Sequence, residues 1–257
     1  MQTNISIADG IYMIGVNDRR TALFENIWPI PHGVSYNSYV ICDEKCALLD
    51  TIEFGSEGAY VDRIKGIIGD RNLDYLIVNH MEPDHSGEIE TILRRYPSVK
   101  LVANKQTRKI MEGYFGDVSA NFMEVGDGDK LELGKHTLHF YLTPWVHWPE
   151  TMMTYEATEK ILFSADAFGT FGVTDGAATD ALTDVEVYEE EMRRYYSNIV
   201  GKYGMMVQKA LAKLSGLDVK TLCPLHGPVW SRQAGEVIGL YDKWSRGEAD
   251  NSAVIIY

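Results

Sequence analysis

Four side chains that can bind a metal ion lie within six residues of one another, between a short apolar segment and a helix start. They follow LDYLIVN (73–79), whose apolar and β-branched residues predict a buried strand. Two imidazoles and two carboxylates form a mixed nitrogen and oxygen set that suits transition metals. The alternative, a polar surface loop with two chance histidines, is disfavoured by the flanking strand and helix. The four side chains are His80, Glu82, Asp84 and His85.

The conformation of this motif decides whether its side chains converge. Pro83 is expected to prevent a regular helix within the motif, and Ser86 is expected to cap a new helix over SGEIETILRRY. If the loop is extended, alternate residues from His80 to Asp84 face one way. Ligands often bind at such a place, beyond the carboxyl end of a strand in an α/β sheet.

Three further candidates each follow another predicted strand. His147 stands in TPWVHWPE (143–150), Asp166 in KILFSADAFG (160–169) and His226 in LCPLHGP (222–228). Each has a structural alternative, either a histidine packed in the core or an aspartate that caps a loop. A carboxylate that directly follows a buried strand must nevertheless be paired, hydrogen-bonded or metal-bound.

Together these positions supply seven ligands, enough for two metal ions that share one carboxylate. Pairs of first-row metals about 3.5–4 Å apart recur in proteins. Three carboxylates and a bridging hydroxide would balance the charge of two divalent ions, so that the site can be buried without a large Born cost. We therefore expect a centre with two metal ions.

The bulk properties restrict the partners. The chain has 257 residues and a formal net charge of −13 without a basic patch, which argues against nucleic acid and against anionic membranes. No apolar run reaches the ~18–20 residues of a membrane helix, and the N-terminus lacks a secretion signal. Cys42, Cys46 and Cys223 are expected to be reduced. These features predict a cytoplasmic protein.

The order of the predicted elements indicates two sheets. Strands come in two groups, each followed by helices, which predicts sheets packed face to face with helices outside. The strands are predicted at 5–14 (with a turn at 9–10), 34–42, 47–52, 73–79, 99–103, 130–133, 137–142, 152–156, 160–164 and 219–223. The helices are predicted at 58–68, 87–96, 105–115, 184–214 (with a break near 201 and 204) and 233–245.

The metal-binding motifs resemble those of the metallo-β-lactamase-like domain of the flavodiiron proteins. The similarity extends over essentially the whole chain, including NDRRTALFENIWP (17–29) and GVSYNSYVI (33–41). It implies an α/β (α+β) fold, the metallo-β-lactamase-like αββα four-layer sandwich, and a non-haem di-iron centre. Hydrolases of the superfamily typically carry histidine at the position of Glu82; glutamate there adds a negative charge and an oxygen donor, which favours iron.

The resemblance also implies how the ligands are divided. In some family members the residue that matches His85 does not bind iron. One iron would take His80, Glu82 and His147, the other would take Asp84, His85 and His226, and Asp166 would bridge them.

Two neighbouring tyrosines are candidate catalytic residues. In the family a tyrosine from the stretch matching RRYYSN (193–198) approaches the pocket, where it could donate a hydrogen bond to bound dioxygen. Tyr195 and Tyr196 point in different directions on a helix, and either could instead fill the core. Ala22 lies in a segment where some relatives carry a histidine, so that a proton donor is expected to be missing.

The chain differs from the flavodiiron proteins in its length. Those proteins continue into a flavodoxin-like domain that binds FMN, whereas residues 251–257 look like only the opening strand of such a domain. Two interpretations are open: the chain is a truncated flavodiiron protein, or it is naturally the iron module alone. No phosphate-binding loop is found elsewhere in the sequence. We therefore expect residues 1–257 to form a single di-iron domain without an FMN site, as a monomer or a homodimer.

Electron counting separates the expected functions. A diferrous pair holds two electrons and the reduction of dioxygen to water takes four, so an isolated site favours a lasting peroxo-type adduct. That predicts an oxygen-binding sensor with a signalling partner, as in chemotaxis. The alternative is the catalytic core of a dioxygen or nitric oxide reductase that needs an external electron-transfer protein. A zinc hydrolase on the same scaffold is the third hypothesis.

Overall fold

Residues 4–55, 57–174 and 178–248 are described in the computed structural model, and most of their strands belong to two sheets. The first nine strands along the chain are β1 (Ile5–Ala8), β2 (Ile11–Asp18), β3 (Leu23–Phe24), β4 (Trp28–Pro29), β5 (Val34–Cys42), β6 (Cys46–Leu49), β7 (Tyr75–Ile77), β8 (Lys100–Ala103) and β9 (Phe122–Glu124). The later strands are β10 (Lys130–Glu132), β11 (Thr137–Leu142), β12 (Met152–Glu156), β13 (Ile161–Phe163) and β14 (Thr221–Cys223).

Seven helices and one irregular helical segment complete the described elements. The larger sheet has the order β1-β2-β5-β6-β7-β8-β9, the smaller sheet contains β10 to β14 in sequence order, and β3 pairs only with β4. The helices are α1 (Glu57–Ile68), α2 (Pro83–Ser86), α3 (Ile89–Arg95), α4 (Lys105–Phe115), α5 (Val185–Tyr195), α6 (Gly204–Leu214) and α7 (Ala234–Ser245).

Alternation along the strands produces the layers of the sandwich. In β5, Tyr39 and Ile41 pack between the two sheets, where the Tyr39 ring lies 5.2 Å from that of Phe163. Val40, between them in sequence, faces the other way and packs in the cluster that includes Ile64 of α1. The αββα sandwich expected from the sequence is therefore the fold of this chain.

The metal-binding motif folds differently from the prediction in two respects. Pro83 begins the short helix α2 instead of preventing one, because proline is tolerated at the first helical position, where its missing N–H is not needed. Ser86 is not the cap of the following helix, which begins at Ile89. It ends α2, and its hydroxyl donates a 3.0 Å hydrogen bond to the carbonyl of Glu82.

The predicted break in the long helical region is confirmed. Between α5 and α6 the chain forms a π-helix at Tyr196–Val200 and a short 3₁₀-helix at Gly201–Tyr203. π-Helical turns insert one extra residue and are frequent at functional sites. The short strands β3, β4 and β9 were not predicted, since two or three residues carry too little periodicity.

Two expectations concern the ends of the chain and the membrane. The predicted opening strand at 251–257 lies outside the described residues. Among the residues that the structure describes, no helix has both the length and the apolar character needed to cross a bilayer.

Candidate metal centre

Seven side chains from four strand ends converge in two adjoining groups. Within each group one ligand atom from each residue lies within 4.8 Å of the others. Every one of these side chains is buried, with an exposed fraction of no more than 8%. We call His80, Glu82 and His147 the His80 group, and Asp84, His85 and His226 the His85 group. Asp166 lies within 4.8 Å of the His80 group and also contacts His85.

The His80 group is arranged around one carboxylate oxygen. Glu82 Oε2 lies 3.2 Å from His80 Nε2 and 3.0 Å from His147 Nε2. Both imidazoles therefore point their Nε2 atoms at the same small volume. A nitrogen, nitrogen and oxygen set of this kind suits iron or zinc.

The ligand atoms of the His85 group are also close to one another. The Nε2 atoms of His85 and His226 lie 3.0 Å apart. Each of them is 3.4 Å from Asp84 Oδ2. His85 thus points into the centre in the same way as the other histidines.

Asp166 faces both groups with different oxygens. Its Oδ2 atom is 3.0 Å from His147 Nε2 and 3.7 Å from His80 Nε2. Its Oδ1 atom is 3.0 Å from His85 Nε2 and 3.9 Å from His226 Nε2. This is the geometry required of a carboxylate that bridges two ions.

Three buried carboxylate oxygens of the centre have no hydrogen-bond partner among the described residues. Both carboxylate oxygens of Asp84 and the Oδ1 atom of Asp166 have no hydrogen-bond partner there. A buried carboxylate without partners is costly, and a cation would remove that cost. The donor set, imidazole and carboxylate with no thiolate, therefore fits two iron ions.

In the pKa values of the ligands, the effect of burial is opposed by the effect of neighbouring side chains. Burial alone would lower the pKa of His147, but hydrogen bonds to Asp166 and Glu82 raise that pKa to about 9. Burial would likewise raise the pKa of Asp166, yet the charges of His85 and His80 hold it well below its usual value. Opposite charges on neighbouring side chains thus favour the charged forms of His147 and Asp166 despite their burial.

Asp50 positions the first ligand. Its Oδ1 atom accepts hydrogen bonds from the N–H groups of Asn79 (2.7 Å) and His80 (3.1 Å), and its Oδ2 atom accepts one from Asn79 Nδ2 (2.8 Å). The side chain is fully buried. It fixes the backbone at the end of β7, from which the metal-binding motif projects.

Glu150 orients the His80 ring. Its Oε1 atom accepts a 2.9 Å hydrogen bond from His80 Nδ1 and a 3.0 Å hydrogen bond from the N–H of Met81. Because a carboxylate can only accept, Nδ1 carries the proton and Nε2 is the atom directed at the centre.

The loop of His226 is held by β5. His226 Nδ1 donates a 2.8 Å hydrogen bond to the carbonyl of Ser35, and Asn37 Nδ2 donates one of 2.8 Å to the carbonyl of Gly227. Gly227 has a φ of +81°, and a Cβ atom there would lie 2.1 Å from Thr170 Cγ2. The loop therefore requires glycine next to its ligand.

Tyr195 and Tyr196 fall on opposite sides of their helix. The Tyr195 ring lies 5.4 Å from the imidazole of His226, whereas the Tyr196 ring packs 5.0 Å from Tyr241 and 5.4 Å from Trp244. Tyr195 is the tyrosine on the side of the centre. Its hydroxyl is buried without a hydrogen-bond partner among the described residues. Burial, with the charge of Asp166, raises its pKa well above the usual value.

A cavity of about 560 Å³ leads from the surface to the ligands Glu82 and Asp84. Trp148 lines it and packs edge-on against the His80 ring at 5.3 Å. Glu25 also lines it, and a hydrogen bond with Glu82 raises the pKa of Glu25 to about 8. The segment around Ala22 thus places the carboxyl group of Glu25 in the cavity.

Several residues that hold the centre were not predicted. For Ser35, Asn37 and Asp50 the sequence signal is a polar side chain inside a segment that otherwise indicates a buried strand, such as VSYNSYV; Glu25, Glu53 and Glu150 have no such signal. The unpredicted residues are Glu25, Ser35, Asn37, Asp50, Glu53 and Glu150.

Comparison with known proteins gives one consistent result. Residues 34–227 match the family model described as "ODP family beta lactamase". The chain is 31% identical to a nitric oxide reductase of Moorella thermoacetica, over 100% of this chain and 65% of that protein. It is 32% identical to a rubredoxin-oxygen oxidoreductase of Megalodesulfovibrio gigas, over 98% of this chain and 63% of that protein. The chain therefore spans somewhat less than two thirds of these relatives.

Solved structures agree with this result. The flavodiiron protein of Giardia intestinalis superposes with a TM-score of 0.91 at 29% identity, covering 96% of this chain and 60% of that one. The rubredoxin oxygen:oxidoreductase of Desulfovibrio gigas superposes with a TM-score of 0.89 at 30% identity, covering 95% of this chain and 62% of that one.

Proposed function

Because this chain belongs to the ODP family of β-lactamase-like domains and has the fold of the flavodiiron proteins, we propose a function from that family. We propose that the chain is the catalytic core of a dioxygen or nitric oxide reductase. The relatives named above are a nitric oxide reductase and a rubredoxin-oxygen oxidoreductase. They support the reductase over the oxygen sensor that electron counting favoured. The reaction is accordingly an oxidoreduction of a small diatomic gas.

The observation that carries this proposal is the position of Asp166. One of its oxygens faces the His80 group and the other faces the His85 group, with N···O distances of 3.0 Å on each side. A single metal ion would not require a carboxylate whose two oxygens face two separate groups of ligands. We therefore assign one iron to each group and the bridge to Asp166.

The ligand set defines what the ions would contribute. Two adjacent irons would bind the diatomic substrate and transfer electrons to it. Glu82 distinguishes this set from that of a zinc hydrolase, because a carboxylate in place of an imidazole adds negative charge and favours the harder, redox-active metal.

The protein residues around the ligands would exclude water and orient the substrate. Phe24 and Phe171 pack against Tyr195, with ring centroids at 6.4 and 5.0 Å, and form an apolar wall beside His226. The Tyr195 hydroxyl, which has no hydrogen-bond partner among the described residues, would then supply a hydrogen-bond donor beside this wall. A small neutral gas fits such a surface better than a large polar ester.

The mouth of the cavity provides a surface for an electron donor. Leu23 and Tyr114 line the cavity and are exposed, and Phe54, next to the lining residue Glu53, has an exposed fraction of 76%. Exposed apolar side chains around an opening mark a protein interaction site. We propose that a flavin or rubredoxin donor binds there, close to the buried metals.

The reductase is tested by metal analysis combined with gas consumption. Protein purified natively should contain two iron ions per chain, and it should consume dioxygen or nitric oxide steadily when a reduced rubredoxin or flavodoxin is supplied. Asp166→Asn should lower the bound iron and abolish turnover together. His32→Asn, at an exposed histidine outside the centre, is the matched control and should change neither quantity.

Three outcomes would contradict the proposal. Two zinc ions with ester hydrolysis would indicate the hydrolase. An optical band that persists in air, without turnover by any donor, would indicate the sensor. A single metal ion that does not require Asp166 would remove the shared carboxylate on which the proposal depends.

A further inference from the structure

Two of the three cysteines face each other in a β-hairpin far from the metal centre. Cys42 ends β5 and Cys46 begins β6, and the two are directly paired across the strands. Only the turn Asp43-Glu44-Lys45 separates them in sequence. Both are free thiols in the structure.

The hydrogen-bond pattern fixes the spacing of this pair. The N–H of Cys42 donates to the carbonyl of Gly10 at 2.8 Å, and the N–H of Cys46 donates to Asp74 Oδ2 at 2.8 Å. Since neither N–H is directed across the hairpin, the pair is of the non-hydrogen-bonded type, in which the Cα atoms lie about 4.5 Å apart. Disulfides need a Cα separation of roughly 4.4–6.8 Å, so the backbone already meets this requirement.

The two thiols share one face of the sheet but differ in access. Side chains of directly opposed residues point to the same face, here toward the end of α1, where Cys42 Sγ lies 3.7 Å from the carbonyl of Ile67. Cys46 is buried, whereas Cys42 is partly exposed. A small reagent can therefore reach the outer thiol from solvent, whereas the inner thiol is shielded.

A cation lies beside the outer sulfur. The guanidinium of Arg71 contacts Cys42 Sγ and also donates a 2.6 Å hydrogen bond to the carbonyl of Asp43 in the turn. A neighbouring cation stabilises the negative charge that a sulfur carries when it attacks an oxidant. Cys223 has no such neighbour among the described contacts and is buried between the two sheets.

We propose that Cys42 and Cys46 form a redox-active dithiol that a hydroperoxide oxidises to an intramolecular disulfide. The Cys42 sulfur attacks the peroxide, the O–O bond breaks, and water leaves with a sulfenic acid formed on Cys42. The Cys46 sulfur then displaces the hydroxyl group as a second water. For hydrogen peroxide the balance is two thiols and one peroxide to one disulfide and two waters. A thiol reductant reverses the change.

The chain itself provides a clear assay for this linkage. Trypsin cleaves after Lys45, which separates the two cysteines into peptides 21–45 and 46–63. Full-length protein is reduced, treated with one equivalent of hydrogen peroxide, alkylated and digested. The expected product is the two peptides joined, lighter by two hydrogens than their summed mass, and absent after treatment with a thiol reductant.

Variants separate the roles of the thiols. Cys223→Ser is the matched control and should leave the joined peptides unchanged. Cys46→Ser should stop the reaction at a sulfenic acid on Cys42, which dimedone traps. Cys42→Ser should abolish the joined product and leave Cys46 unmodified.

The result that overturns the proposal is complete alkylation of both cysteines after peroxide treatment. Linkage with diamide but not with peroxide would also overturn it, because the geometry would then be competent but a hydroperoxide would not be the oxidant. Dimers linked through Cys42 would show that the outer thiol reacts without its neighbour, which is equally incompatible.

Discussion

At the scale of single residues, Glu150 has one engaged and one free carboxylate oxygen. Oε1 holds His80 and Met81, whereas Oε2 is buried and has no hydrogen-bond partner among the described residues. Carboxylates that accept from a metal-binding imidazole orient the ring and increase its basicity. Glu150 should therefore act on the metal through His80, without touching the metal itself.

Glu150→Ala should weaken metal binding in the His80 group by about 10–100-fold. Glu150→Gln keeps a carbonyl oxygen that can accept a hydrogen bond from His80 Nδ1, so its metal affinity should fall much less. Anaerobic titration with Co²⁺ against a competing chelator measures both variants. Equal affinities for Glu150→Ala and the unmodified protein would show that the ring is held by packing alone.

Tyr195 and Tyr196 allow a second test at this scale, because they are chemically identical neighbours on opposite sides of one helix. Tyr195→Phe should slow gas turnover by about 2- to 12-fold, the equivalent of one net hydrogen bond of 0.5–1.5 kcal/mol. Tyr196→Phe should not affect turnover. Steady-state kinetics with a saturating donor measure the difference.

Stability provides the independent control for both tyrosine variants. Neither hydroxyl has a hydrogen-bond partner among the described residues, so that its removal should not lower the denaturation midpoint. A lower midpoint together with slower turnover in Tyr195→Phe would indicate a structural role for the hydroxyl and contradict the assignment.

At the scale of elements, Asp180 holds the start of α7 from a distant part of the chain. Its Oδ2 atom accepts hydrogen bonds from the N–H groups of Ser231 (2.9 Å), Arg232 (2.6 Å) and Gln233 (2.8 Å). The carboxylate is fully buried. Because α7 carries Tyr241, which packs on Tyr196, Asp180 indirectly fixes the helix that presents Tyr195.

Asp180→Ala should destabilise the protein by about 3 kcal/mol, since it leaves several buried N–H groups without acceptors. Asp180→Asn retains one carbonyl oxygen as an acceptor and should lower the stability by less. Urea denaturation followed by tryptophan fluorescence measures the change. A loss below about 1 kcal/mol in Asp180→Ala would show that water replaces the carboxylate.

The elements also show what the sequence could predict. The ligands were predictable because His80, Glu82, Asp84 and His85 lie together after a buried strand, where metal binding is the simplest explanation for four such side chains. The residues that position these ligands could not be predicted, because their partners are remote in sequence. Asn37, for example, donates a hydrogen bond to the carbonyl of Pro224, 187 positions along the chain. Such pairings have no local periodicity and appear only when the two sheets pack.

The local errors have a similar origin. Proline was assumed to exclude helix at residue 83, yet it occupies the first position of α2. The break near Gly201 was predicted from glycine content, but the π-helix before it was not, because one inserted residue leaves the apolar pattern almost unchanged. The sequence also did not show which of Tyr195 and Tyr196 faces the metal centre, because that depends on how the helix packs.

At the scale of the whole molecule, each proposed ion draws ligands from both sheets. The motif 80–85 follows β7 of the larger sheet, whereas His147, Asp166 and His226 follow strands of the smaller sheet. Bound metal should therefore stabilise the packing of one sheet on the other, in addition to the local loops.

Removal of the metal should lower the melting temperature of the domain. Ligand at 100 times its Kd adds about 2.7 kcal/mol, which corresponds to about 5–10 °C in a domain of this size. Differential scanning calorimetry before and after chelation measures the shift. Asp166→Asn should show a much smaller shift, and equal melting temperatures of metal-loaded and chelated unmodified protein would contradict the cross-sheet role.

The order of the ligands along the chain has a consequence for biosynthesis. A ribosome releases residues 80, 82 and 147 well before residue 226, so the His80 group is complete while the His85 group still lacks its last imidazole. A nascent chain could thus capture its first ion early, but the second must wait until nearly all of the domain has emerged. Metal loading is then sequential, and ribosome-bound chains in which residue 166 has emerged but residue 226 has not should retain one metal ion and not two.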